Sequence, residues 1–191
     1  VFSTLANAWK IPELRKKLIF TVLVLLIYRV CSTIPVPYID AAQLSQYFQS
    51  TLSNTILGLY DAMSGSAFSQ ATVLALGIQP YINASIIIQL LTVAIPALER
   101  MAKEEGEEGK KKIERITRYT TVGLGLLLGF AYYTMMRNYE SSGLTLITGK
   151  GVLPAIVIVL AFAAGSCLVM WMGEQITEFG IGNGISMILF A

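Results

Sequence analysis

The sequence predicts an all-α polytopic membrane protein, and three observations carry that reading: charge is scarce, the apolar runs have the length of membrane-spanning helices, and basic residues gather in alternate loops. Of 191 residues, 54% are hydrophobic and 14% charged, with a mean hydropathy of +0.63. A soluble domain carries about 25% charged residues, so the main solvent for this chain is lipid. The formal net charge of +2 is too small to point to nucleic acid, and its basic residues fit membrane topology better. There is no histidine, and the two cysteines, Cys31 and Cys167, each lie inside an apolar stretch. These facts argue against His-based acid/base catalysis, a catalytic zinc site and a disulfide framework, so no metal, no cofactor and no enzymatic activity are expected.

A hydrocarbon core about 30 Å thick needs about 20 helical residues. Residues 1–17 form a basic N-terminal segment. Residues 18–34 form the first span, apolar except for Arg29, which is expected to snorkel to the near interface. Pro35-Val36-Pro37 ends that helix, and residues 35–53 form an external loop. Residues 54–98 would make a continuous helix of over ~60 Å, about twice what a membrane holds. Gly58, the cluster Ser64-Gly65-Ser66 and the run Leu76-Gly77-Ile78-Gln79-Pro80 therefore divide it. The expected result is a re-entrant segment at 54–70, with a short helix over about 55–63, and a second span at 72–98 whose crossing runs from about 73 to 95. Irregular backbone at membrane depth survives only against protein or a water-filled cavity, so a cavity is expected here. Pro80 is expected to free the carbonyl of Leu76 and to kink the span. Gln79, Asn83, Ser85 and Gln89 leave two readings open, ordinary interhelical hydrogen bonds or a functional cavity. The Asn83-Ala84-Ser85 sequon would be unreachable at that depth.

Residues 99–118 form a cytoplasmic loop, with Glu104-Glu105-Gly106-Glu107-Glu108 as a solvated hairpin. Residues 119–136 form the third span, 137–151 an external loop, 152–172 the fourth span, and 173–180 a cytoplasmic loop. Gly125 with Gly129, and Ala161 with Gly165, have the spacing that lets helices approach closely. Residues 181–191 start a fifth span that stops after about 16 Å of helix. A helix ending inside the hydrocarbon would leave carbonyls unpaired, so the chain reads as the front portion of a larger protein. No small-residue cleavage site follows the first apolar run, so no cleavable signal peptide is expected. Lys10, Arg15, Lys16 and Lys17 precede the first span, and Arg100, Lys103, Lys110, Lys111, Lys112, Arg115 and Arg118 lie between the second and third. The opposite side has only Arg137 and Lys150, which places the N-terminus in the cytoplasm.

Three separated motifs then carry a family resemblance. They are Ile34-Pro35-Val36-Pro37; Ala75-Leu76-Gly77-Ile78-Gln79-Pro80-Tyr81-Ile82-Asn83-Ala84-Ser85 running on to Leu91; and Gly173-Glu174-Gln175-Ile176-Thr177-Glu178 leading into Gly180-Ile181-Gly182-Asn183-Gly184-Ile185-Ser186. Through them the chain resembles, over essentially its whole length, the SecY family, the central subunit of the bacterial protein-conducting channel. The resemblance implies ten transmembrane helices in two halves hinged like a clamshell, of which this chain supplies the N-terminal half with a re-entrant plug helix. It implies a plug packed through Ile56, Leu59 and Met63, and a pore ring that includes Ile78, Ile82, Ile185 and Leu189, the last a mild departure from isoleucine. A lateral gate with Asn83, Ile86, Ile87 and Leu90 is implied too, as is a candidate cytoplasmic partner contact at Lys110, Lys111, Lys112, Arg115 and Arg118. Its implied partners are the remaining half of SecY, SecE and SecG, SecA or a ribosome, signal sequences and nascent polypeptides, and the lipid of the bacterial inner membrane.

The physics stands beside the resemblance. Residues four apart share a helix face, so Ile78 with Ile82, and Ile185 with Leu189, can each present two apolar knobs to one axis. A narrow apolar collar cannot replace an ion's hydration shell and can dewet. By periodicity alone the same four side chains read as packing or lipid-facing residues. A secondary transporter with a broken second helix is the competing reading; against it, no membrane-embedded acid appears in the second to fourth spans. An intramembrane enzyme fits less well, since no nucleophile and base can be paired.

Overall fold

The structure, a computed structural model, describes residues 11–103, 106–140, 143, 145–149 and 151–191. Lys10 with the rest of residues 1–10, Glu104, Glu105 and Lys150 lie outside the described residues. The chain is helical: α1 Pro12–Cys31, α2 Ala41–Tyr47, α3 Ile56–Met63, α4 Gln79–Ala94, α5 Pro96–Lys103, α6 Gly106–Glu140, α7 Val152–Phe179 and α8 Gly184–Phe190. Pro12 opens α1 at a position where its missing N–H goes unmissed. Asp40 caps α2 by accepting from the N–H groups of Ala42 and Gln43, both at 3.1 Å, and α2 runs into a π-helical turn over Phe48–Leu52. Asn183 caps α8 in the same way through Ile185 and Ser186.

Among the described residues, one helix is by itself long and apolar enough to cross a membrane: α7, of 28 residues, with a mean hydropathy of 2.6 over its most apolar stretch. It is the central post. Gly125 and Gly129 of α6 lie against it, where an added Cβ would stand 2.7 Å from Ser166 Oγ and 3.2 Å from the Val159 carbonyl oxygen. Two apolar cores flank the post. The first gathers Val36, Leu44, Phe48, Phe68, Tyr132, Met136, Leu146 and Phe162. The second gathers Val24, Tyr28, Leu74, Ile78, Val169, Met172, Ile176 and Ile188.

Several boundaries differ from the sequence expectation. The helix of the second span begins at Gln79, not near residue 73. Before it, Gly65, Ser66, Ala71 and Gly77 all take positive φ, and tertiary hydrogen bonds replace helical ones: Val36 N–H donates to the Ala71 carbonyl at 3.0 Å and Val73 N–H to that of Ile34 at 2.9 Å. Pro80 therefore sits in the first turn of α4 and starts the helix without kinking it. The bend lies at Ile95, where α4 and α5 meet at 101° just before Pro96. Residues 106–118 are not loop but the first three turns of α6, since Lys, Glu and Arg are strong helix formers. Likewise α7 continues through Glu174 and Thr177 to Phe179, so that of the loop expected at 173–180 only Gly180 lies outside the helix, and α8 begins at Gly184, after the expected start at 181.

Candidate pore and plug

The site is built from a missing donor. Pro80 has no N–H to offer the carbonyl of Leu76 four residues earlier, and that carbonyl instead accepts the hydroxyl of Tyr60 at 3.0 Å. Tyr60 belongs to α3, the short helix folded back beside the start of α4. Its ring meets Phe68 edge-on with centroids 5.0 Å apart; Phe68 meets Tyr132 at 4.6 Å, and Tyr132 meets Phe162 of α7 at 4.9 Å. The Tyr132 hydroxyl donates to the Phe68 carbonyl at 2.5 Å, and the Asp61 carboxylate accepts from Ser69 N–H at 2.7 Å. An aromatic ladder thus ties α3 and its return turn to the central post.

The face of α3 that packs is not the one expected. Ile56 is 86% exposed, Leu59 66% and Met63 46%, whereas Leu57 and Tyr60 lie against the first core. Helix phase is the reason: 56, 59 and 63 share one face, and the Tyr60 hydrogen bond turns the opposite one inward.

The four pore-ring candidates divide. Ile78, at the N-cap of α4, is buried in the second core; Ile82 and Ile185 are half-buried against that core; Leu189 is 43% exposed. Ile78 and Leu189 line a small cavity of about 20 Å³ together with Tyr28, Tyr60, Met63 and Gln79. That volume matches about one water molecule. Ile185 lines a second, polar cleft of about 380 Å³ with Tyr81, Glu114, Arg118, Glu174 and Glu178.

Asn83, Ile86, Ile87 and Leu90 are all exposed along α4, while Ala84 and Ile88 on its other side are buried. Gln89 Nε2 donates to Ser85 Oγ at 3.2 Å, so these two polar side chains satisfy each other along the helix. Lys110, Lys111, Lys112 and Arg115 are exposed near the start of α6. Arg118, also exposed, is drawn toward α7: its Nε donates to Glu174 Oε1 at 2.9 Å, joining α6 to α7. Arg29 is exposed near the end of α1. Its guanidinium sits over the turn at Gly65, where an added Cβ would stand 2.6 Å from Nη1. Sequence reasoning missed Tyr60, Tyr132 and Gly173; the freed Leu76 carbonyl was the one signal for Tyr60.

A re-entrant helix pinned beside an unwound helix start, on a post of apolar helix, defines a polytopic helical membrane protein. Residues 72–191 match the SecY family model, and the chain belongs to the SecY family. It is 44% identical to the protein translocase subunit SecY of Streptomyces griseus, an alignment covering 100% of this chain and 44% of that protein. It is 41% identical to the SecY subunits of Aquifex aeolicus, over 96% of this chain and 43% of that protein, and of Thermus thermophilus, over 97% and 42%. The chain thus spans less than half the length of these relatives. Among solved structures it resembles Sec61 in the canine ribosome-channel complex from the endoplasmic reticulum, with a TM-score of 0.63 and 21% identity over 92% of this chain and 35% of that one. It also resembles a SecY whose plug domain is described as stabilising the closed state of the translocation channel, with a TM-score of 0.60 and 20% identity over 91% of this chain and 34% of that one. At these identities the likeness to solved structures supports the fold.

Proposed function

We propose that this chain forms the N-terminal half of a channel that passes unfolded secretory polypeptides across the bacterial inner membrane and releases apolar segments sideways into lipid. The observation that carries the reading is the placement of α3: its Tyr60 and Met63 line the same small cavity as Ile78 and Leu189. A helix so placed plugs the passage at its aliphatic waist. Ile78, Ile82, Ile185 and Leu189 contribute that waist, which refuses hydrated ions because it offers nothing to replace their water, yet yields to a threaded chain. Ile56 and Leu59, exposed in this half, turn toward the remaining half of the channel.

The exposed row Asn83, Ile86, Ile87 and Leu90 is the first half's side of the lateral gate. A signal sequence entering there gains about 25 cal/mol per Å² of apolar surface moved from water to hydrocarbon. The N-terminus lies in the cytoplasm, by the excess of basic residues before α1 and between α4 and the apolar part of α6. Lys110, Lys111, Lys112 and Arg115 face the same side as a surface for SecA or a ribosome, while SecE and SecG complete the membrane complex. As a subunit of a translocation channel the chain has no catalytic role, and energy comes from those partners.

Deletion of residues 55–66 from the full-length protein tests the reading. An ion leak across planar bilayers is the expected result. A tight membrane, with loss of saturable uptake of a small solute instead, would point to a transporter.

A further inference from the structure

We propose that the Tyr60 hydroxyl is the latch that sets the resting position of α3, through its hydrogen bond to the carbonyl of Leu76. This rests on the plug reading of α3. The partner is a backbone group that local chemistry leaves open, because Pro80 cannot supply the N–H that would occupy it in a regular helix. The site is partly buried beside a cavity that holds about one water, so a hydroxyl withdrawn from Leu76 finds little solvent to replace its partner.

The other restraints on α3 are apolar or more local: Leu57 packs against the first core without a polar partner. Ile56 and Leu59 are exposed, and Asp61 bonds within its own return turn, to Ser69. Tyr60 alone of these groups reaches from α3 to the residues that lead into Ile78. Its ring also stacks on Phe68, so hydroxyl and ring act separately: the ring seats the helix, and the hydroxyl fixes it to the pore-lining segment.

The test uses the full-length channel with its partner subunits in planar lipid bilayers. Tyr60→Phe removes the hydroxyl and keeps the ring contact. The expected result is a roughly fivefold rise in resting ion conductance, equivalent to about 1 kcal/mol at about 1.4 kcal/mol per tenfold, with unchanged thermal denaturation in detergent. In a Met63→Cys background the same change should speed labelling by a membrane-impermeant maleimide added from outside. Tyr132→Phe is the structural control, since its hydroxyl bonds to the Phe68 carbonyl of the return turn and makes no hydrogen bond to α3 or to the residues leading into Ile78; it should lower stability and raise conductance less than Tyr60→Phe. Wild-type conductance in Tyr60→Phe, alongside a leak after deletion of residues 55–66, overturns the latch and leaves the plug reading standing. Equal leaks in Tyr60→Phe and Tyr132→Phe overturn it as well, since the effect is then general loosening. A tight channel after the deletion overturns the plug reading, and the latch with it.

Discussion

Ile78 and Ile185 meet over the backbone of Gly173. Ile78 Cδ1 and Ile185 Cγ1 lie 3.5 and 3.7 Å from the point where a Cβ on that glycine would stand, and Ile188 Cδ1 lies 3.5 Å from it. One helical glycine of α7 thus sets how closely the start of α4 approaches the start of α8. Gly173→Ala adds a methyl at ordinary contact distance and should be tolerated. Gly173→Val should wedge the two isoleucines apart and lower stability by about 1–3 kcal/mol. Thermal denaturation in detergent distinguishes the two, and equal melting would show that the contact does not matter.

Gly165 and Gly184 are among the glycines that meet backbone, which cannot swing aside. A Cβ on Gly165 would stand 1.8 Å from the Val73 carbonyl oxygen, and one on Gly184 1.9 Å from that of Gly173, whereas Gly123 faces open space. Gly165→Ala and Gly184→Ala should each cost about 3 kcal/mol or more, while Gly123→Ala should be neutral or slightly stabilising. The comparison is read as yield of folded complex and melting temperature.

These contacts also show where the sequence was legible. The short helix at α3 could be read from the length of the uncharged run and from the glycines that break it. Ile34-Pro35-Val36-Pro37 likewise marked the end of α1. The late start of α4 could not be read, because residues 64–78 combine local turns with bonds from Tyr132, Val36 and Ile34, which are distant in sequence. The inward face of α3 escaped for the same reason: the partner of Tyr60 is a carbonyl whose availability depends on Pro80. The extent of α6 was missed because its first turns are helical without an apolar stripe, which hydropathy does not register.

The ion pair between Arg118 and Glu174 joins α6 to α7 at a partly exposed site, with side chains 52% and 24% exposed. Solvent screening limits it to about 0.2–1 kcal/mol. Arg118→Glu should destabilise, and the double exchange Arg118→Glu with Glu174→Arg should recover most of the loss. A double-mutant cycle by denaturation in detergent measures this, and a coupling of zero would mean the pair is incidental.

Asn83 stands on the exposed row of α4 that we propose as this half's side of the lateral gate, with its amide free to hydrogen-bond across that seam when closed. Asn83→Leu should shift the open/closed balance by about 1 kcal/mol, a typical size for such bonds in membranes. Transport of precursors with weakened signal sequences is the readout. Unchanged transport would remove Asn83 from the gate.

The central claim is that this half of the channel turns aliphatic side chains toward a passing polypeptide. Photo-crosslinking reads it most directly: a photoreactive residue placed singly at Ile82, Ile185 or Leu189 of the full-length protein, with one at the exposed Ile19 of α1 as reference, is illuminated while a secretory chain is arrested in transit. Adducts to the arrested chain from the first three positions, and to lipid from Ile19, are the result expected. Adducts to lipid alone from Ile82, Ile185 and Leu189 would contradict the account.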